Sequence, residues 1–98
     1  MLRLMGLWTA PADVEAFERE YLGVHVPKLQ RLPACRDVRT ARCLDGPFFR
    51  VTEVLFDNLD DIHGALRAEA GRGIQSEAES LAGKFGVHLD VLVVAEAT

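Results

Sequence analysis

The sequence contains two cysteines, one tryptophan, one tyrosine and no apolar run near the ~20 residues that a membrane-crossing helix needs. A membrane partner is therefore not expected. The opening MLRLMGLW is too short for a signal sequence, and TAPADVE follows it without a cleavage-like pattern. Cys35 and Cys43 fall in one expected strand, separated by roughly 26 Å, too far to bond within a subunit. Two unpaired thiols and no export signal predict a cytoplasmic protein.

A basic excess is also lacking. Eleven lysines and arginines stand against fifteen acidic residues, a formal charge of −4. Arg36, Arg39 and Arg42 form the closest basic grouping, broken by Asp37 and followed by Asp45. No basic face with stacking aromatics emerges, so no nucleic-acid partner is expected. His25, His63 and His88 make no H-x-x-x-H or Cys/His ligand set, which argues against a metal site. AGRGI is not a dinucleotide loop, and neither a phosphate-binding loop nor a nucleophile elbow is present. No cofactor is expected, neither flavin nor haem. Cys35 and Cys43 have no assignable basic partner to make either a nucleophile.

What is present is a chain of 98 residues, 49% apolar and 27% charged, enough for one domain spanning 1–98. LRLMGLW, residues 2–8, reads as a buried strand. Pro11 suits the first position of a helix, and Asp13 and Glu15 suit its first turn. Val14, Phe17, Tyr21 and Val24 then give an apolar stripe at three- and four-residue steps. Residues 35–44 alternate loosely. Asp45-Gly46 signals a hairpin, and FFRVTEVLFD (48–57) reads as a long strand. Asn58 caps a helix over LDDIHGALRAEA, which Gly71 and Gly73 interrupt before IQSEAESLAGKF resumes it up to Gly86. VHLDVLVVAE (87–96) is the last strand.

This β-α-β-β-α-β order predicts an α+β, ferredoxin-like fold: an antiparallel four-stranded sheet with helices on one face. In the last strand Leu89, Val91, Val93 and Ala95 should face the helices. The opposite face carries His88, Asp90, Leu92 and Val94, still substantially apolar. Such a sheet needs cover on its second side, and a second copy is the economical solution. Two sheets packed face to face would give a homodimeric barrel with an interior cavity.

Five residues carry chemistry that needs an account. Phe17, Tyr21 and His25 share one helix face at four-residue spacing. Pro27 would clash with the carbonyl of Gly23, and Val26 before it resists helix, so a kink or an end is expected near Val26. His25 then either meets the free carbonyls of the helix end or turns into the interior as an acid, base or hydrogen-bond donor. Glu53 is a carboxylate among Val51, Val54, Leu55 and Phe56. It is either a salt-bridge partner of a helix or second subunit, or an acid in the pocket. His88 and Asp90 lie roughly 6.6 Å apart on one strand face, which suits a dimer contact or an oriented imidazole. Trp8 either caps a pocket or fills the core, and Tyr21 needs a hydroxyl partner if buried.

Phe17, Tyr21, His25 and Pro27, followed by Arg31-Leu32-Pro33, resemble the EthD-type proteins of the dimeric α/β-barrel superfamily. FFRVTEVLFDNLDDI resembles that family's third strand and following helix. Ala34 stands where the family usually has glycine after Leu-Pro. The resemblance covers nearly the whole chain and implies the dimeric α/β barrel. It further implies a small-molecule enzyme without a bound cofactor: an isomerase, cyclase or monooxygenase-like protein. Its ligand would be a small apolar or aromatic compound such as a lactone, a phenol or a polyketide-like molecule. On this reading His25 and Glu53 are the catalytic candidates, and Trp8, Tyr21 and His88 bind ligand. The alternative is a non-catalytic binding or accessory protein of a degradation or biosynthesis pathway.

Overall fold

In the computed structural model, which describes residues 1–96, the alternation of the opening strand decides what the sheet buries. Strand β1 (Leu2–Trp8) turns Leu2, Leu4, Gly6 and Trp8 toward one face and Arg3, Met5 and Leu7 toward the other. It pairs antiparallel with β3 (Arg50–Phe56) on one side and β4 (Leu89–Ala95) on the other. Strand β2 (Asp37–Arg42) pairs antiparallel with β3, giving the order β2-β3-β1-β4. Gly6 lies opposite Thr52 and Val91, and Trp8 opposite Arg50 and Leu89. This is the ferredoxin-like arrangement expected from the element order.

The helices cover one face. Helix α1 (Val14–Glu20) begins with Asp13 as its cap, the side chain accepting from the Ala16 amide at 3.1 Å. Pro11 and Asp13 therefore precede the helix instead of opening it. A π-helical turn (Tyr21–His25) follows, then α2 (Val26–Leu29). Helices α3 (Leu59–Arg67) and α4 (Glu69–Phe85) complete the layer. Asn58 caps α3 as expected, accepting from the Asp61 amide at 2.9 Å.

Three expectations need correction. The break in the second helical segment falls at Ala68, whose backbone is extended, while Gly71 and Gly73 lie inside α4. Gly71 serves close packing: a Cβ there would sit 1.9 Å from the Ala65 carbonyl oxygen. The stripe of the first helix is Phe17, Tyr21 and His25, all buried, whereas Val14 and Val24 are exposed. Finally, Val91 and Val93 share the helix-side face but remain 62% and 48% exposed, because the helices stop short of the β4 edge.

The core has two parts. Leu4, Val54, Phe56 and Ile62 pack with Leu29 and Leu32 at one end. Trp8, Phe17, Tyr21, Leu81 and Phe85 pack at the other. Trp8, Phe17, Tyr21, Phe56 and Ile62 are the largest fully enclosed side chains, and burying each such group contributes about 1.5–3 kcal/mol. Arg3, Met5, Leu7, Val51, Glu53 and Leu92 lie on the opposite, helix-free face. Among the described residues no helix is long and apolar enough to cross a membrane.

Candidate functional site

The π turn is what brings His25 inward. The Val26 amide donates to the Tyr21 carbonyl, five residues back, instead of one four back. Pro27 has no amide to give to the carbonyls behind it, and the widened turn accommodates that missing bond. The chain therefore stays helical through Pro27 and ends at Leu29, so of the kink or end expected near Val26 the helix shows a widened turn and not an end. π turns of this kind recur at functional sites.

The wider turn keeps three rings in one stack. Phe17 and Tyr21 lie parallel with centroids 5.5 Å apart, and Tyr21 and His25 follow at 5.8 Å. Trp8 stands edge-on to all three, at 5.8, 5.6 and 5.4 Å in the order Phe17, Tyr21, His25. Each such aromatic pair contributes about 0.5–1.5 kcal/mol beyond the area it buries. His25 is 4% exposed.

His25 forms a wall between two concavities. On the inner side a cavity of about 230 Å³ lies between the sheet and α4, lined by Leu4, Gly6, Trp8, Thr52, Ala78 and Leu89 among others. On the outer side lies a cleft that the charged residues Glu20, Glu77 and Lys84 also line. Glu77, from α4, sits 3.2 Å from His25 Nδ1 and also pairs with Lys28. A carboxylate at that nitrogen fixes the tautomer with the proton on Nδ1. Nε2 then carries the free electron pair. It has no protein partner, and Arg3 Nε is the one fully enclosed side-chain nitrogen or oxygen without a partner among the described residues. Nε2 is therefore not sealed by protein atoms. His25 lines both concavities, and Glu77, which holds Nδ1, lines only the outer one. Burial pushes the imidazole below its ordinary pKa, against the opposing bond and charge of Glu77.

Behind the cavity wall a polar chain assigns every one of its protons. Thr40 Oγ1 donates to the Val51 carbonyl at 3.0 Å, spending its only proton. The Tyr21 hydroxyl must then donate to Thr40, at 2.7 Å. Its oxygen in turn accepts from Thr52, and Thr52 accepts from the Trp8 indole N–H at 3.1 Å. Arg50 donates to Thr40 at 3.1 Å and is held by Glu18 through bonds of 3.0 and 2.5 Å. Burial raises the Tyr21 phenol above its usual value, against its threonine bonds and the Arg50 charge. Tyr21 is thus an enclosed proton donor with its bond already made, one layer behind the cavity.

The structure brings only His25 and Trp8 of the five sequence candidates to the cavity surface. Glu53 lies on the helix-free face, 3.7 Å from Arg3, which also bonds Glu96 at 2.7 Å. His88 is exposed and pairs with Asp90 at 2.8 Å, away from the cavity. Among the described residues no cluster suited to a metal ion occurs. Sequence reasoning missed Glu77, Thr52, Gly6 and Gln75. Thr52 and Arg50 carried a signal, as polar residues on the same face of a strand that otherwise buries Val54 and Phe56. Glu77 carried none, since it reads as one more charge on a solvated helix face.

No family model matches the chain, and no curated protein matches it. Among solved structures, a cofactor-independent oxygenase from Streptomyces nogalater, SnoaB, shares 10% identity and a TM-score of 0.71, over 99% of this chain and 93% of that one. A dimeric protein of unknown function and ferredoxin-like fold from Bacteroides fragilis shares 12% identity and a TM-score of 0.65, over 97% and 95%. At these identities the likeness is one of fold. An ethyl tert-butyl ether D (EthD) family protein from Bacillus halodurans aligns over 99% of both chains, with 26% identity and a TM-score of 0.89. From end to end, this chain is similar to an EthD family protein.

Proposed function

We propose that the chain is a small-molecule enzyme working by acid/base chemistry without a bound cofactor, of isomerase, cyclase or monooxygenase-like type. One observation carries this reading: a buried imidazole with Nδ1 held by Glu77, in a residue that lines an otherwise apolar cavity. That is the arrangement of an oriented general base. Nε2 takes a proton from an acidic C–H or O–H of the bound molecule and returns it elsewhere on the same molecule. Glu77 stabilises the transient imidazolium through the Nδ1 proton. Trp8 shapes the cavity wall, and Tyr21 positions Trp8 through Thr52. The likeness to an EthD family protein and to a cofactor-independent oxygenase supports the same reading.

The test uses 5-nitrobenzisoxazole, a neutral bicyclic compound whose ring opens when a base removes one carbon-bound proton. Saturable turnover by wild type that falls by about 10²-fold or more in His25→Gln is expected. Turnover no faster than free imidazole would sink the catalytic reading. The rival would then stand, a non-catalytic binding or accessory protein. One observation favours that rival: Tyr21 and Thr52 spend their protons within the buried chain and Thr40 gives its own to the Val51 carbonyl, which leaves His25 alone to react.

The same reading makes the chain a homodimer joined through the helix-free sheet face, where Met5, Leu7, Val51, Leu92 and Val94 are left uncovered. The ferredoxin-like neighbour from Bacteroides fragilis is itself dimeric, which supports this. Glu53, His88 and Asp90 then serve as polar contacts at or near that interface. A shift from dimer to monomer mass in Leu92→Arg by light scattering is expected; an unchanged dimer places the interface elsewhere. The free cysteines Cys35 and Cys43 support placement in the cytoplasm.

A further inference from the structure

We infer that the inner cavity selects a neutral ligand that donates a hydrogen bond, a phenol-class hydroxyl, over lactones and carboxylates of the same size. This rests on reading the cavity as a ligand site and narrows what that site accepts.

The side-chain donors around the cavity are all committed to other partners. Four lining residues carry polar side chains: Trp8, His25, Thr52 and Gln75, and no lysine, arginine or acidic residue lines the cavity. The one N–H of Trp8 is given to Thr52. The Thr52 proton goes to Tyr21, since the Tyr21 proton is committed to Thr40. Gln75 Nε2 has two protons and bonds two backbone carbonyls, those of Leu66 at 3.0 Å and Gly71 at 3.1 Å. The Nδ1 proton of His25 goes to Glu77. What these side chains leave unspent is acceptor capacity only: Nε2 of His25 inside and Oε1 of Gln75 toward the rim. The lowered affinity of buried His25 for a proton keeps Nε2 an acceptor at neutral pH.

Ligand classes sort themselves on that inventory. A carboxylate would enter an apolar space with no cation and no side-chain donor, which leaves a desolvated charge unpaired. A lactone presents only oxygens, and would set its carbonyl against lone pairs. A phenol donates its O–H to Nε2 while its ring lies along Trp8 and Leu89. At about 230 Å³ the cavity is below the usual roughly 300–1,000 Å³ range, which suits a molecule of one or two rings.

The experiment compares three bicyclic probes by calorimetry at pH 7.5: 2-naphthol, coumarin and 2-naphthoate. The expected result is 2-naphthol binding about tenfold or more tighter than either of the others. In Glu77→Gln the side-chain amide can donate to Nδ1 and free the other tautomer, so Nε2 can carry a proton. The preference of 2-naphthol over coumarin should then shrink by about tenfold, with the melting profile confirming a folded protein. Equal or tighter binding of 2-naphthoate or coumarin by wild type overturns the acceptor-only assignment. A tighter 2-naphthoate would instead point to the opening amides of α4 beside Gly71. Loss of whichever probe binds in His25→Phe would leave the reading of the site intact in that case. Absence of binding by all three overturns both together.

Discussion

Nδ1 of His25 lies 3.2 Å from Oε1 of Glu77, a residue 52 positions farther along the chain. This contact joins the π turn to α4 beside the cavity. It also makes the site pH-sensitive in a defined direction. Burial holds the folded imidazole below its unfolded pKa of about 6.5, so between those two values the unfolded chain binds more protons. Stability is therefore complete above pH 6.5 and is lost as pH falls through the folded value. Melting temperature should drop between pH 7 and pH 5 in wild type, with a shallower drop in His25→Gln. Equal slopes in the two proteins would mean that other groups carry the acid sensitivity.

The Tyr21 hydroxyl is the hinge of the buried proton chain. Tyr21→Phe removes the acceptor for Thr52 and the donor for Thr40 while leaving the ring stack in place. Stranding those partners should cost about 1–3 kcal/mol in urea unfolding. Freed from Tyr21, the Thr52 proton can turn toward the cavity, so coumarin should gain affinity relative to 2-naphthol. A Tyr21→Phe protein as stable as wild type would show that water replaces the hydroxyl.

Much of this fold was legible because it rests on periodicity. The bounds of β1, the cap at Asn58 and the stop at Gly86 follow from local patterns, and the sheet order follows from the sequence of elements. The π turn was not legible in full. Pro27 announces a disturbance, but whether the helix stops or widens depends on whether burial of Tyr21 and His25 outweighs the lost bond. The Gly71 reading failed for a related reason: a glycine that breaks a helix and one that admits a neighbouring backbone look the same in a single sequence. Of the site, His25 and Trp8 were legible as unusual residue types on buried faces. Glu77 required knowing which face of α4 meets the π turn, and that is tertiary information. The side of the sheet that Glu53 faces is settled by pairing register, with Met5 and Arg39 as its neighbours.

Ala34 has a φ of 61° and is the one non-glycine residue in the left-handed region among the described residues. It stands after Leu32-Pro33, and the turn it forms delivers the chain from α2 to β2. A Cβ there costs about 1–2 kcal/mol, partly offset by the about 0.4–1 kcal/mol that alanine saves in the unfolded chain. Ala34→Gly should therefore stabilise by about 0.5–1 kcal/mol with ligand binding unchanged. Destabilisation would show that the alanine methyl makes a compensating contact.

Gly6 sets the depth of the cavity. It sits on β1 between Leu4 and Trp8, on the face beneath α4, and a Cβ there would approach Leu89 Cδ1 and Trp8 Nε1 at 3.3 Å each. Trp8 Nε1 belongs to an enclosed indole bonded to Thr52, whereas Leu89 Cδ1 is the tip of a flexible, half-buried side chain. The few tenths of an ångström that a methyl requires therefore fall to Leu89. Gly6→Ala should fold with normal stability and weaken 2-naphthol binding several-fold by narrowing the floor. Gly6→Val adds two more carbons directly in the ligand's volume and should abolish binding. Its β-branched side chain also suits the strand, so the loss would not come from unfolding. The two variants separate filling from distortion: graded loss of affinity with preserved melting temperature identifies the space above Gly6 as the ligand's own. Retained 2-naphthol affinity in a folded Gly6→Val protein would place the ligand elsewhere, most simply in the outer cleft beside Glu77 and Lys84.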